Sequence, residues 1–220
     1  MIKVTIEPRL QLLIPKLKLG IVQAKVIVSR HNDELWREID CCVSTISKYD
    51  MESLYHVEGI EALREGYKAI GKDPSRYRGS AEALARRIIL GKGLYKVNTI
   101  VDINNLVSLE SMNSVGSYDL SRISKSILFR IGNNGESYKG IGKDIINIAE
   151  LPVFVDENGP FGSPTSDSER AMILKSTRDL MIIIISFTGK ESLNKYFERI
   201  SSLLVRYANA DIGQIETTIV

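Results

Sequence analysis

Cysteine is nearly absent from this chain. It has 220 residues and two cysteines, Cys41 and Cys42, which are neighbours. A disulfide between adjacent residues is strained and rare, so both read as thiols of a reducing, cytosolic compartment. The two histidines, His31 and His56, lie far apart in sequence. No zinc-type ligand spacing results, and neither a metal nor another cofactor is expected. There is no G-x-S-x-G elbow and no cysteine in a catalytic context. The stretch "GIGKDI" at 140–145 lacks the full phosphate-loop spacing and reads as a tight turn between strands. No charge sign dominates: 29 Lys and Arg face 27 Asp and Glu, for a net +2. A global basic field is thereby excluded, and a nucleic-acid partner would have to meet a local patch. Long apolar runs are lacking too. The longest, "LMIIIISF" at 180–187, is far too short to cross a bilayer. The first residues break at Glu7-Pro8-Arg9 without the apolar core of a signal peptide. The expectation is a cytoplasmic protein with no membrane partner.

What is present is an ordinary globular composition, 44% hydrophobic and 25% charged, enough to bury a core without staples. Residues 2–6 alternate like a strand, and residues 19–28 are rich in β-branched side chains. Leu35, Ile39, Cys42, Val43 and Ile46 then recur at helical spacing, with Asn32 or Asp33 able to cap the start. Cys42 falls on that apolar stripe, where core packing is its expected role. Residues 58–70 repeat the helical pattern. After the connector "GKDPSRYRGS" at 71–80, Ser80 is placed to cap a helix that Gly91 stops. An Asn-rich helix follows near 98–111. Strands are expected at 126–132, 151–159 and 180–187. A last helix is expected from about Thr188, with Thr188 and Glu191 as a capping box, to Tyr207. A short strand at 213–220 would close the chain. Helices lead the middle and strands the second half, without β-α-β alternation. That argues an α+β fold with mixed, mostly antiparallel sheets and packed helices in a single compact unit.

Two stretches carry candidate chemistry. From Arg76 to Lys96 the basic residues Arg76, Arg78, Arg86, Arg87, Lys92 and Lys96 face a single acid, Glu82, with Tyr77 and Tyr95 interleaved. Such a pattern grips a phosphate backbone and stacks on bases, or else forms a solvated helix face. The second stretch is "KVNTIVDINNLVSLES" at 96–111, where Asn98, Asp102, Asn104 and Asn105 interrupt an apolar helix. Short polar side chains compete for backbone hydrogen bonds. They tie loops together or line a polar pocket. Asn98, Asp102 and Asn105 are expected to fix the helix to neighbouring loops and present its start to a pocket, while Asn104 is expected to be exposed.

The ordered set of motifs from Arg87 to Ile184 resembles the B3/4 module of the bacterial phenylalanyl-tRNA synthetase β subunit. The family's N-N-V-V-D-V-T-N-Y-V stands here as Asn98 to Val107, and its H-A-F-D-L as Gly116-Ser117-Tyr118-Asp119-Leu120. Arg130, Gly135-Glu136, "VFVDENG", Ser168-Glu169 and Thr177 complete the pattern in order. The chain departs from it at Gly116 for His, Leu106 for Tyr, and Gly162-Ser163 for paired glycines. The resemblance implies a B3/4-like domain over 71–220, with residues 1–70 as a β/helical extension packed on it. It implies no ligase core. It implies a tRNA or aminoacyl-tRNA partner, contacted through Arg76 to Lys96, and hydrolysis in trans of a mischarged ester, an aminoacyl-tRNA deacylase activity. It implies a pocket shaped by Asn98, Asp102, Asn105, Gly116, Tyr118, Ser168 and Glu169, with no catalytic residue identified. Losing the family's His also favours an alternative, a non-catalytic module that binds an amino acid or small metabolite. A protein-interaction module with a vestigial pocket is a third reading.

Overall fold

The structure is a computed structural model that describes residues 2–191 and 193–220. In chain order the elements are β1 (Lys3–Ile6), α1 (Pro8–Leu13), β2 (Lys18–Lys25), α2 (Asp33–Ile46), α3 (Met51–Tyr55), α4 (Glu58–Ala69), α5 (Ser80–Ile89) and α6 (Thr99–Ser111). Then follow β3 (Ser114–Asp119), β4 (Ser126–Ile131), β5 (Ser137–Lys139), β6 (Ile145–Asn147), β7 (Pro152–Asp156), β8 (Gly159–Gly162), β9 (Asp179–Ser186), α7 (Leu193–Ala208) and β10 (Glu216–Ile219).

Two four-stranded sheets and a layer of helices form a three-layer stack. The central sheet has the order β10-β2-β9-β3, antiparallel throughout. The outer sheet has the order β1-β4-β7-β8, with β1 parallel to β4 and the other pairs antiparallel. β9 explains the stacking. Its run of isoleucines is buried on both faces, as a central strand requires. Leu180, Ile182 and Ile184 pack with α2, α6 and α7. Met181, Ile183 and Ile185 pack with Phe129, Val153, Phe154 and Phe161 of the outer sheet. The α+β class with mostly antiparallel sheets therefore matches the reading of the sequence. Residues 3–6 and 18–25 supply strands to both sheets, and the segment before residue 70 is woven into the layers.

Local chemistry sets the element ends. Asn32 caps α2 by accepting from Leu35 N at 2.9 Å. α5 ends in a Schellman turn, in which Gly91 N donates to Ile88 O and Lys92 N to Arg87 O, both at 2.9 Å. Gly91 takes the left-handed conformation there, at φ 69°. The expected cap at Ser80 is corrected: Gly79 holds the N-cap position, and Ser80 is the first helical residue. Its N–H donates instead to Pro164 O at 2.8 Å and to Ser114 Oγ at 3.2 Å. Thr188 does not open the last helix, because Thr188 N folds back to Ser186 Oγ, which itself donates to Gly189 O at 2.7 Å. α7 is described from Leu193, and Ser192 lies outside the described residues. Among the described residues no helix is long and apolar enough to cross a membrane.

Candidate functional site

Gly116 and Tyr118, on β3, face the outer sheet, while Ser168 and Glu169 lie in the segment after β8, where Ser168 N donates to Phe161 O at 2.9 Å. Tyr118, on β3, is 1% exposed. Its ring meets Phe154 and Phe161 edge-on, at centroid distances of 5.9 and 5.1 Å. Its hydroxyl donates to Asp167 Oδ1 at 2.8 Å, and Ser163 N donates to the same oxygen at 3.3 Å. Two glycines make room for this phenol. A Cβ at Gly116 or at Gly162 would overlap the Tyr118 hydroxyl. The space between β3 and β8 is thus occupied by a side chain of the protein itself. Burial pushes the Asp167 carboxyl up to about 7. Burial, then the facing Asp167 charge, pushes the Tyr118 phenol well above its ordinary value.

The loop that carries Asp167 is clamped by the β5–β6 hairpin. Ile141 N donates to Asp167 O at 3.0 Å, Lys143 Nζ to Ser166 Oγ at 2.7 Å, and the Tyr138 hydroxyl to Ser166 O. Ser168 caps the short turn at Glu169–Ala171, accepting from Arg170 N at 3.1 Å. Glu169 pairs with Lys139 of the hairpin at 3.0 Å.

Asn98, Asp102 and Asn105 lie on α6, which packs against the opposite face of the central sheet. The structure does not bring them together with Tyr118 and Glu169. Asn98 caps α6, accepting from Ile100 N at 3.1 Å and Val101 N at 3.0 Å. Asp102 accepts from Trp36 Nε1 at 2.8 Å and from Val97 N at 3.2 Å. Burial raises its carboxyl above the ordinary value despite those bonds. Asn105 is half-buried, and so is Asn104, whose Oδ1 is enclosed rather than exposed as expected. α6 is buried on most sides, and Asn98, Asp102 and Ser108 serve there as ties, whereas Asn104 Oδ1 has no hydrogen-bond partner among the described residues.

Other motif residues bond to one another. Asp119 accepts from Thr177 Oγ1 at 2.6 Å. Arg130 makes a two-pronged pair with Glu136 at 2.7 and 2.8 Å, and Arg170 does the same with Asp156 at 2.8 and 3.1 Å. These contacts hold loops to strands, which is their chemistry here.

The basic residues lie in the connector before α5, on α5 and in the loop after it. Glu82, the acid among them, is 2% exposed. Arg64 Nη1 reaches both its oxygens at 3.1 Å, and Arg78 approaches at 3.7 Å. Arg86 donates to the Tyr55 hydroxyl. Arg87 lies over the Tyr95 ring, 4.2 Å from its centroid, and Lys96 over Trp36 at 4.8 Å. Arg76, Lys92, Tyr95 and Lys96 are exposed. The segment therefore presents positive charge outward while its acid is buried and compensated. No local pattern pointed to Arg64 and Tyr55, since their partners come from another helix, α5.

A groove of about 960 Å³ opens between α2, α7 and the end of α6, with Cys42, Ile46, Tyr49, Leu109 and Tyr196 among its lining. None of the expected site residues borders it. Cys42 forms part of its wall, and burial pushes that thiol up to about 11, which leaves it protonated and a poor nucleophile.

Comparison with known proteins gives two findings. The sequence profile of the B3/4 domain matches residues 62–208. The fold is similar to an N-terminal fragment of the phenylalanyl-tRNA synthetase β-subunit from Pyrococcus horikoshii, with a TM-score of 0.50 and 13% identity. That likeness covers 97% of this chain and 50% of the fragment, so the chain spans about half its relative's length. At this identity it speaks for the fold alone. No curated protein sequence matches the chain.

Proposed function

This chain belongs to the B3/4 domain family, and from that premise we propose that it binds RNA through the segment Arg76–Lys96, the partner being a tRNA or aminoacyl-tRNA. The solved relative is part of a phenylalanyl-tRNA synthetase, whose name carries tRNA as its substrate. One observation supports the reading most. The acid within the basic segment is buried between Arg64 and Arg78, so Arg76, Lys92 and Lys96 stand exposed beside no carboxylate of their own segment. A segment whose exposed charges are all positive, although Asp73 stands beside Arg76 just outside it, is on a chain of net +2 the local patch that phosphate binding needs.

We assign binding rather than ester hydrolysis to the module. What supports this is that the space between β3 and β8 is taken by the Tyr118 phenol, held by Asp167. The experiment is a tRNA-binding titration at several salt concentrations, run beside a panel of charged tRNAs. The expected result is salt-sensitive binding without deacylation. Binding that ignores salt, or that survives charge reversal at Arg76, Lys92 and Lys96, removes the reading. The alternative, a free amino acid or metabolite as ligand, predicts instead that such a ligand and not tRNA raises the melting temperature.

A further inference from the structure

We infer that the Arg87–Tyr95 pair is a stacking platform for an unpaired base, so that the RNA engaged by the basic segment is single-stranded where it touches this pair. The inference rests on the RNA-binding reading and narrows it to a class of ligand.

The argument begins with the helix end. The Schellman turn at Gly91 and Lys92 folds the chain back over the last turn of α5. That return brings two backbone carbonyls within reach of Arg87. Its Nε donates to Gly93 O at 3.2 Å and its Nη2 to Lys92 O at 3.4 Å. The guanidinium is held by the loop it covers. It lies 4.2 Å from the Tyr95 centroid, a distance at which cation and ring attract.

Tyr95 is nonetheless 68% exposed. A large aromatic ring with one side against a guanidinium and most of its surface in water is costly to leave bare, since its apolar area is unburied. Its setting disfavours a cationic partner and favours an anionic one: Lys92 and Lys96 flank it in sequence and are exposed, while Glu82 is buried and compensated. An incoming group must therefore be planar, able to stack on a ring, and attached to negative charge. An unpaired nucleotide has all three properties, and stacking of this kind tolerates any base. A base inside a duplex offers no free face to the ring, so double-stranded RNA would reach the lysines but not the platform.

The test compares a labelled single-stranded RNA oligonucleotide with the same RNA annealed to its complement, using wild type and the variants Tyr95→Ala, Tyr95→Phe and Lys92→Ala. Tyr95 is exposed, so these changes leave the core intact, and circular dichroism checks that. The expected result is tighter binding of the single strand. Tyr95→Ala weakens it by on the order of ten-fold or more, with the salt dependence unchanged, and Tyr95→Phe restores it. Lys92→Ala lowers the slope of log affinity against log salt by about one for both RNAs. The single tryptophan, Trp36, lies under Lys96, so its emission should respond as the strand arrives. Equal affinity for strand and duplex, with Tyr95→Ala matching wild type, overturns the platform while leaving RNA binding in place. Failure of the wild type to bind tRNA or either oligonucleotide removes the underlying reading as well.

Discussion

The Tyr118 hydroxyl and the Asp167 carboxylate meet at 2.8 Å between two glycines of different sheets. Burial raises the Asp167 carboxyl from an ordinary 3.8 to about 7, so the folded chain holds a proton there that the unfolded chain releases. The sign follows from linkage. Above about pH 7 both states are ionised and the folded state bears the full cost of a buried charge. As pH falls from about 7 toward 4, that cost is relieved. Wild type should therefore gain stability relative to Asp167→Asn between pH 8 and pH 5. Urea melts of both proteins at four pH values measure it, and a difference that is flat or opposite in sign contradicts it. Lys143 and Tyr138 face the same loop and are common to both proteins.

Gly116 should resist any side chain. Gly116→Ala forces a methyl onto the Tyr118 phenol, and overpacking of this kind costs about 1–3 kcal/mol. In a Tyr118→Ala background the same change should cost far less, because the clashing group is gone. A double-mutant cycle by chemical denaturation reads the coupling, and additive costs would mean that the strand, not the phenol, opposes the methyl.

Glu82 is buried against Arg64 and within reach of Arg78. Glu82→Ala leaves a guanidinium without its carboxylate, and removing one partner of a buried pair costs on the order of 3 kcal/mol. A large fall in melting temperature is expected, together with tRNA binding that is retained or stronger. Weaker binding by a folded variant would show that Glu82 positions the arginines that touch RNA.

Asp102→Ala strips two donors, Trp36 Nε1 and Val97 N, of their acceptor. Trp36 is 7% exposed, and its orphaned buried donor costs roughly 1–3 kcal/mol. The variant should be destabilised and its tryptophan emission shifted, with no direct effect on an RNA contact at Tyr95. Unchanged emission would mean that the indole has found another acceptor.

Much of the fold was legible because its strongest signals are local. The β-branched run of β9, the Asn32 cap of α2 and the Gly91 stop of α5 each depend on residues close in sequence. Strand β3 was harder. Residues 114–119 carry a glycine, two serines and an aspartate, which read as polar punctuation. They form a strand because they pair antiparallel with β9, from Ser114 opposite Ile185 to Asp119 opposite Leu180. The helix α6 looked like an amphipathic element with stray polar groups, whereas burial on most sides turns Asn98 and Asp102 into internal ties. The candidate pocket was legible only in pieces. Nothing in the spacing of Asn98, Tyr118 and Glu169 says that the central sheet stands between the first and the other two. Nor does it say that Asp167, one residue before Ser168, would be the group that Tyr118 seeks.

The strand from residues 18–25 lies between β10 and β9 in the middle of the central sheet. The profile match begins only at residue 62. A fragment cut to the matched boundaries would strand the most hydrophobic segment of the protein with an open hydrogen-bonding edge and half its apolar partners missing. Self-association of such a fragment, rather than a smaller working copy of the module, is what that exposed edge implies.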